Sequence, residues 1–300
     1  MRAAVFDIGT NTVRVLEGSS GSGAVVEHFR DQRVVRLGQG VSGTGRFHPD
    51  AIQRALQGLR ELRSQCGTLD VVDAVATSAT RDAVNREAFL SPAESILGVR
   101  PRVIEGEEEA RLSFAGALSG GEYDRPVVVI DVGGGSTEFV YGRDEVQYAV
   151  SINIGSVRIT EDVVSSRPAV LEEIEGAGVW LARRLEPLEI PEGEATVVGV
   201  SGTFTALGAI DLGLERYDRE AVHQHQMSLE GLRAVTQQLA RMSVDETAAI
   251  PSLPASRAEV LLGGALVATA ALEAVGGDSV IISETDLLDG LLMAALGGGN

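Results

Sequence analysis

Three hundred residues with 44% hydrophobic content exceed what one small core needs and fit two ordinary globular domains. The net charge of −18 excludes a basic nucleic-acid-binding surface, and no apolar run reaches the roughly 20 residues of a membrane span. All 25 basic residues are arginine, so there is no Walker-type lysine; any phosphate clamp must use arginine, backbone N–H groups or metal.

The charge is unevenly placed. Residues 1–120 hold 14 Arg against 15 acids, and residues 121–300 hold 11 against 28. A polyanionic substrate would therefore lean on the first half, or on metal ions in the second. The lone cysteine, Cys66, excludes an intramolecular disulfide framework and a Cys-rich metal site. The start, Met1-Arg2-Ala3-Ala4-Val5-Phe6-Asp7, has one basic residue and then an acid, with no long apolar segment; it reads as lacking a secretion signal and predicts a cytoplasmic protein.

In chain order, residues 5–7 end an apolar strand, Gly9-Thr10-Asn11 turns, and 13–16 resume as a strand. Residues 18–23 read as a hairpin loop, with 24–29 and 33–37 returning. His48-Pro49-Asp50 opens an amphipathic helix to about residue 64. A buried strand at 71–76 precedes helices at 80–85 and 87–96, a strand at 101–104, and a helix at 107–118. Ser119-Gly120-Gly121-Glu122 is the predicted linker. Strands follow at 127–131, 137–141 and 145–152, then a helix at 168–185, a strand at 195–200 and a helix at 201–210. A polar, irregular stretch covers 213–226. Helices at 229–241 and 254–275, a strand at 280–282 and a helix at 287–296 complete the chain. The pattern predicts two α/β domains, 1–120 and 121–300, each a mixed sheet flanked by helices, with the last helix free to pack back on the first domain.

An internal repeat carries the chemistry. Val5-Phe6-Asp7-Ile8-Gly9-Thr10-Asn11-Thr12-Val13-Arg14 superposes on Val129-Ile130-Asp131-Val132-Gly133-Gly134-Gly135-Ser136-Thr137-Glu138, 124 residues later. The Asp, the aliphatic after it, the Gly and the hydroxyl residue five places on all coincide. That period implies duplicated domains, not a solenoid. Glycines let backbone N–H groups approach phosphate oxygens, and an Asp at a strand end can hold a magnesium ion or its water shell. Two such loops facing each other over a cleft would grip a phosphate chain. A third loop, Ser201-Gly202-Thr203, follows a strand and opens a helix, which favours anions.

Six blocks in order resemble the exopolyphosphatase/guanosine pentaphosphate phosphohydrolase (Ppx/GppA) family, within the actin–sugar kinase–Hsp70 superfamily. They are Asp7 to Arg14, Val35-Arg36-Leu37-Gly38-Gln39-Gly40, Ala76 to Asn85, Ile104-Glu105-Gly106-Glu107-Glu108-Glu109-Ala110-Arg111, Ile130 to Glu138, and Ser201-Gly202-Thr203. Thr10 and Glu105 stand where the family usually has Ser, Thr12 where it often does, and Glu259 replaces a usual Asp after Arg257-Ala258. The chain resembles the short, two-domain form. The resemblance implies two duplicated ribonuclease H-like domains with a cleft between them, a divalent cation (Mg2+ or Mn2+) and a homodimer. It implies hydrolysis of the terminal phosphoanhydride of inorganic polyphosphate, or of guanosine pentaphosphate.

By the same resemblance Glu109 is the catalytic base. Crowding of Glu107, Glu108 and Glu109 at a helix start, with burial, can raise one carboxylate toward the base range; the other reading is a solvated acidic run, which Glu107 and Glu108 keep. Asp131 and Glu138 are the expected metal ligands, with Asp7 a third candidate. Thr10, Asn11, Gly133, Gly134, Gly135, Ser136, Gly202 and Thr203 are expected phosphate contacts, with Arg81 as a clamp. Arg14 and Arg111 are open between substrate and structural pairing. His223-Gln224-His225 reads as a surface loop ahead of a metal site. The competing classes are a sugar kinase or ATPase, disfavoured by the Glu-Glu-Glu-Ala-Arg block, and a non-catalytic polyphosphate or alarmone sensor. No partner nucleic acid or membrane is expected.

Overall fold

A computed structural model describes residues 1–21, 24–191 and 193–297. The chain forms two compact units: residues 1–119 with 286–300, and residues 120–285. The second unit thus ends before the C-terminal helix, Leu287–Ala295, which packs within the first.

In the first unit β1 (Arg2–Ile8), β2 (Thr12–Gly21), β3 (Ala24–Val34), β4 (Val71–Ala76) and β5 (Arg102–Val103) form one sheet in the order β3-β2-β1-β4-β5. β1 to β3 are an antiparallel meander, and β4 and β5 join parallel. The two return strands expected at 24–29 and 33–37 are one, because the meander keeps its pairing through a single register shift at Glu17/Gly18. Residues 22 and 23 of the expected hairpin loop lie outside the described residues.

Alternate residues of β1 feed two apolar layers. Phe6 and Ile8 join helices Pro49–Gln65 and Glu87–Leu97 through Leu56, Leu59, Phe89 and Leu97. Ala3 and Val5 join Leu287, Leu288, Leu291 and Leu292 of the C-terminal helix. Fully burying each such leucine contributes about 1.5–3 kcal/mol. Two ion pairs fix the docking: Arg14 to Asp286 and Arg30 to Asp289. Asp286 also caps its helix, accepting from Leu288 N at 2.9 Å.

In the second unit β6 (Val127–Val132), β7 (Thr137–Gly142), β8 (Val146–Ile152), β9 (Thr196–Val200), β10 (Gln226–Ser228) and β11 (Ser279–Ile282) order as β10-β11-β9-β6-β7-β8. Read from β8, this is the order of the first sheet with β10 added at the far edge. Each unit is therefore a ribonuclease H-like mixed sheet flanked by helices. Helix Ala258–Ala274 is the spine of the second core. With the turn before it, Ala255–Ala274 is long and apolar enough to cross a membrane, but most of its apolar window is buried in this core.

Three local expectations shift. The helix expected at 80–85 spans Ser78–Asp82, and that at 168–185 begins at Leu171, because Ala169 N bonds instead to Ala240 O at 2.8 Å. A helix at Ser156–Asp162 was not foreseen; its β-branched composition is offset by tertiary bonds.

Candidate active site

The repeat seen in the sequence is a repeat of geometry. Gly9 N donates to Thr12 O at 2.9 Å, and Gly133 N donates to Ser136 O at 3.0 Å. Each turn closes one antiparallel pair whose last acid has a direct cross-strand partner: Asp7 opposite Arg14, Asp131 opposite Glu138. Directly opposed residues point to the same face, so each pair forms a unit.

In the first unit Arg14 donates to Asp7 Oδ2 (Nη2 at 2.7 Å, Nε at 2.8 Å) and also to Asp286. One guanidinium serves two buried carboxylates. Burial pushes the Asp7 carboxyl above its ordinary range against the pull of Arg14. Burial opposes the charge of Asp286 too, but Arg14 and Arg30 together hold it below the ordinary range. The metal role expected for Asp7 thus meets an arginine already seated on one of its oxygens; its other oxygen, Oδ1, has no hydrogen-bond partner.

Around this turn the loops are built to stay close. Gly38 N donates to Thr10 O at 2.8 Å, and Val35 N and Arg36 N both donate to Asn11 O at 2.9 Å. A Cβ on Gly38 would collide with the Thr10 methyl and touch Ala79, so only glycine lets these three segments meet. Because β4 runs parallel beside β1, its C-terminal loop lies next to the turn: Thr77 N donates to Ile8 O at 3.1 Å. Buried side-chain atoms without a hydrogen-bond partner then collect here: Asp7 Oδ1, Thr10 Oγ1, Asn11 Oδ1, Ser78 Oγ and Thr80 Oγ1, with only Ser252 Oγ elsewhere among the described residues. Folded proteins rarely leave such groups unpaired without a use for them.

Helix Gly106–Ser119 supplies the acid. Glu105, Glu107 and Glu108 are exposed, and Glu108 pairs with Arg102 at 2.7 Å. Glu109 is buried, 8% exposed, with its Oε2 2.7 Å from Arg81 Nη1. Arg81 also donates to Ile104 O at 2.8 Å, which fixes the guanidinium from behind. The structure thus brings together Thr10, Asn11, Arg81 and Glu109 in the first unit. Arg111 is exposed.

In the second unit Asp131 and Glu138 are both buried on one face of the sheet, and Ser151 Oγ donates to Glu138 Oε1 at 2.6 Å. Two opposed carboxylates repel, and a divalent cation would offset that repulsion. No cluster of three or more His, Cys, Asp or Glu able to hold a metal occurs among the described residues. Two carboxylates on one face are a donor set that an ion such as magnesium can use, completing its shell with water and phosphate oxygens.

The glycine turn is held open by a helix that the sequence reading missed. Ser156 N donates to Gly133 O at 3.0 Å, Val157 N to Gly134 O at 2.9 Å, and Arg158 Nε to Gly135 O at 3.1 Å. With carbonyls tied back, the backbone of Gly133, Gly134, Gly135 and Ser136 is fixed. The segment expected as a third loop is the first turn of helix Ser201–Asp211, and it joins the glycine turn: Ser201 Oγ and Thr203 Oγ1 each donate to Val132 O at 3.0 Å. Ser201 sits at φ +73°, a left-handed position unusual for serine, which its side-chain bond sustains. The guanidinium of Arg257 packs where a Cβ on Gly202 would stand. Arg257 was met in the sequence only as a neighbour of the Glu259 departure; its place over Gly202 is tertiary. Both histidines of 223–225 have protein partners: His223 Nε2 lies 2.8 Å from Gly120 O, and His225 Nε2 lies 2.7 Å from Asp211 Oδ2.

The model of the Ppx/GppA phosphatase family matches residues 18–297. The chain is 39% identical to exopolyphosphatase 2 of Mycobacterium tuberculosis over 99% of both proteins. Among solved structures, an exopolyphosphatase-like protein superposes with TM-score 0.94 at 38% identity over 99% of each chain. A Ppx/GppA family member from Aquifex aeolicus gives 0.82 at 30% identity, covering 98% of this chain and 97% of its own. An exopolyphosphatase from Cytophaga hutchinsonii gives 0.90 at 25% identity, covering 100% and 99%.

Proposed function

The chain belongs to the Ppx/GppA phosphatase family, and from that premise we propose that it is an exopolyphosphatase, removing the terminal phosphate of inorganic polyphosphate by attack of water. The observation that carries this reading is the single buried acid of a four-acid segment, Glu109, held by Arg81 in the unit whose unpaired polar atoms collect at the phosphate-type turn.

In this mechanism the Glu109 carboxylate accepts a proton from water as its oxygen attacks the terminal phosphorus. The P–O bond to the rest of the chain breaks, orthophosphate leaves, and the shortened chain keeps the electron pair. Arg81 positions Glu109 and lends positive charge to the transferring phosphoryl group. In the first unit Thr10 and Asn11 would orient phosphate oxygens; in the second, Ser136, the backbone of Gly133, Gly134 and Gly135, and Gly202 and Thr203 at a helix start are the candidate phosphate contacts. Asp131 and Glu138 would hold a divalent cation, Mg2+ or Mn2+, which supplies charge neutralisation at phosphate oxygens. We leave Asp7 out of that set because Arg14 neutralises it. A cytoplasmic setting belongs to the same proposal.

The test is phosphate release from polyphosphates of defined length, guanosine pentaphosphate and ATP, with and without magnesium, for the wild type and Glu109→Gln. Metal-dependent release from polyphosphate is expected, with turnover lower by at least about 100-fold in the variant. Equal turnover in the two proteins would reject Glu109 as the base; preference for guanosine pentaphosphate would move the substrate to the alternative within the family.

A further inference from the structure

Two exposed arginines of the first unit, Arg46 and Arg86, are not used by the chemistry above. In a chain of net charge −18, residues 32–49 contain Arg33, Arg36 and Arg46 and no acid at all. This segment is the one bonded to Thr10 and Asn11 through Val35, Arg36 and Gly38. Its far end is tied to the turn after the Arg81 helix: Val84 N donates to Gly45 O at 2.9 Å, Phe47 N donates to Asn85 Oδ1 at 2.8 Å, and Asn85 Nδ2 returns to Phe47 O at 3.1 Å. Arg46 lies between the two tied residues of one strand of chain, and Arg86 directly follows the other. Both are exposed, and neither side chain has a hydrogen bond or ion pair among the described residues.

That is unusual here. Acids outnumber arginines 43 to 25, and most arginines of this unit are engaged: Arg2 with Glu17, Arg30 with Asp289, Arg33 with Glu61, Arg102 with Glu108. The acids nearest Arg86 in sequence are Asp82 and Glu87, and Glu87 is taken by Arg100 at 2.7 Å. Asp50, beyond His48, is exposed. Two exposed guanidinium groups are therefore carried on the joined segments 45–47 and 84–86, which continue from the residues bonded to Thr10 and Asn11 and from the Arg81 helix. Such forks bind phosphate oxygens bidentately.

We infer that Arg46 and Arg86 form an outer subsite for the distal phosphates of a long inorganic polyphosphate chain, so that they set preference for chain length. The inference rests on the exopolyphosphatase reading. On this inference a tripolyphosphate is held by the inner loops alone and a long chain by both.

The experiment compares the wild type, Arg46→Gln/Arg86→Gln, and Arg60→Gln as a control for loss of an exposed arginine of the same unit. Phosphate release is measured on tripolyphosphate and on polyphosphate many tens of phosphates long, across ionic strength. The double variant should raise KM for the long chain by about tenfold and flatten its salt dependence. Its kcat, its kinetics on tripolyphosphate, and both activities of Arg60→Gln should match the wild type. Unchanged KM for the long chain, or equal losses on both lengths, overturns the subsite while leaving the enzyme assignment standing. A wild type that releases phosphate from neither polyphosphate overturns the assignment, and the subsite with it.

Discussion

The hairpin β1–β2 and the hairpin β6–β7 share a turn, a register and a place in their sheets, yet they solve opposite electrostatic problems. In the first, Asp7 faces Arg14, and the arginine is shared with Asp286 of the C-terminal helix. In the second, Asp131 faces Glu138, with a hydroxyl, Ser151, on the glutamate. The two hairpins thus share a backbone and differ in one cross-strand partner, a cation in the first and an anion in the second. The first hairpin is neutralised from within and fastens the chain's end to the sheet. The second sets two buried carboxylates against each other, and it is the hairpin proposed to take the cation. On the proposed function, the residue opposite the aspartate separates a structural hairpin from a metal-binding one.

The largest effect that would sharpen this contrast comes from Arg14→Met. It leaves Asp7 and Asp286 buried without their shared cation and should lower unfolding free energy by about 3–5 kcal/mol in urea denaturation. A loss below about 1 kcal/mol would mean that this pairing is no more than a surface-type bridge. Next is Glu138→Gln, expected to cut metal-dependent phosphate release by about 100-fold with little change in stability. Full activity in that variant would remove the distinction between the hairpins.

A third effect follows from the opposite shifts of the two acids on Arg14. Asp286 has its folded-state carboxyl below the ordinary range, so its contribution is complete above that range and fades as pH falls through the lowered value. Asp7 is raised, so its charged form contributes against the fold as pH rises through the raised value. At pH 7 Asp286→Asn should therefore cost about 2 kcal/mol more than Asp7→Asn. That gap should narrow on acidification, as read by unfolding curves at several pH values. A gap of the other sign would reverse the assignment of roles around Arg14. The smallest effect is Gly38→Ala, which presses on Thr10 and should cost about 1 kcal/mol while raising KM modestly.

Much of this could be read from residues alone, for physical reasons. The strand at 71–76 and the helix from Pro49 were plain because an apolar run and a capped amphipathic pattern are local signals. The Asp–Gly repeat was plain because turn geometry constrains sequence at fixed offsets. Glu109 stood out only through its family block, since three adjacent glutamates look alike until burial separates them. What stayed hidden is tertiary. Helix Ser156–Asp162 has weak local propensity and exists because Gly133 and Gly134 carbonyls accept its first amides. Arg14 could not be linked to Asp286, 272 residues away, from either segment. Ser78 and Thr80 gave no sign of being buried hydroxyls without partners.

Direct cation binding tests the contrast between hairpins most closely. Manganese titration in the presence of orthophosphate, followed by the loss of the free-ion EPR signal, should show a site in the wild type and in Asp7→Asn, and none in Glu138→Gln. Retention of the site in Glu138→Gln together with its loss in Asp7→Asn would contradict the account, placing the cation on the hairpin that Arg14 was held to neutralise.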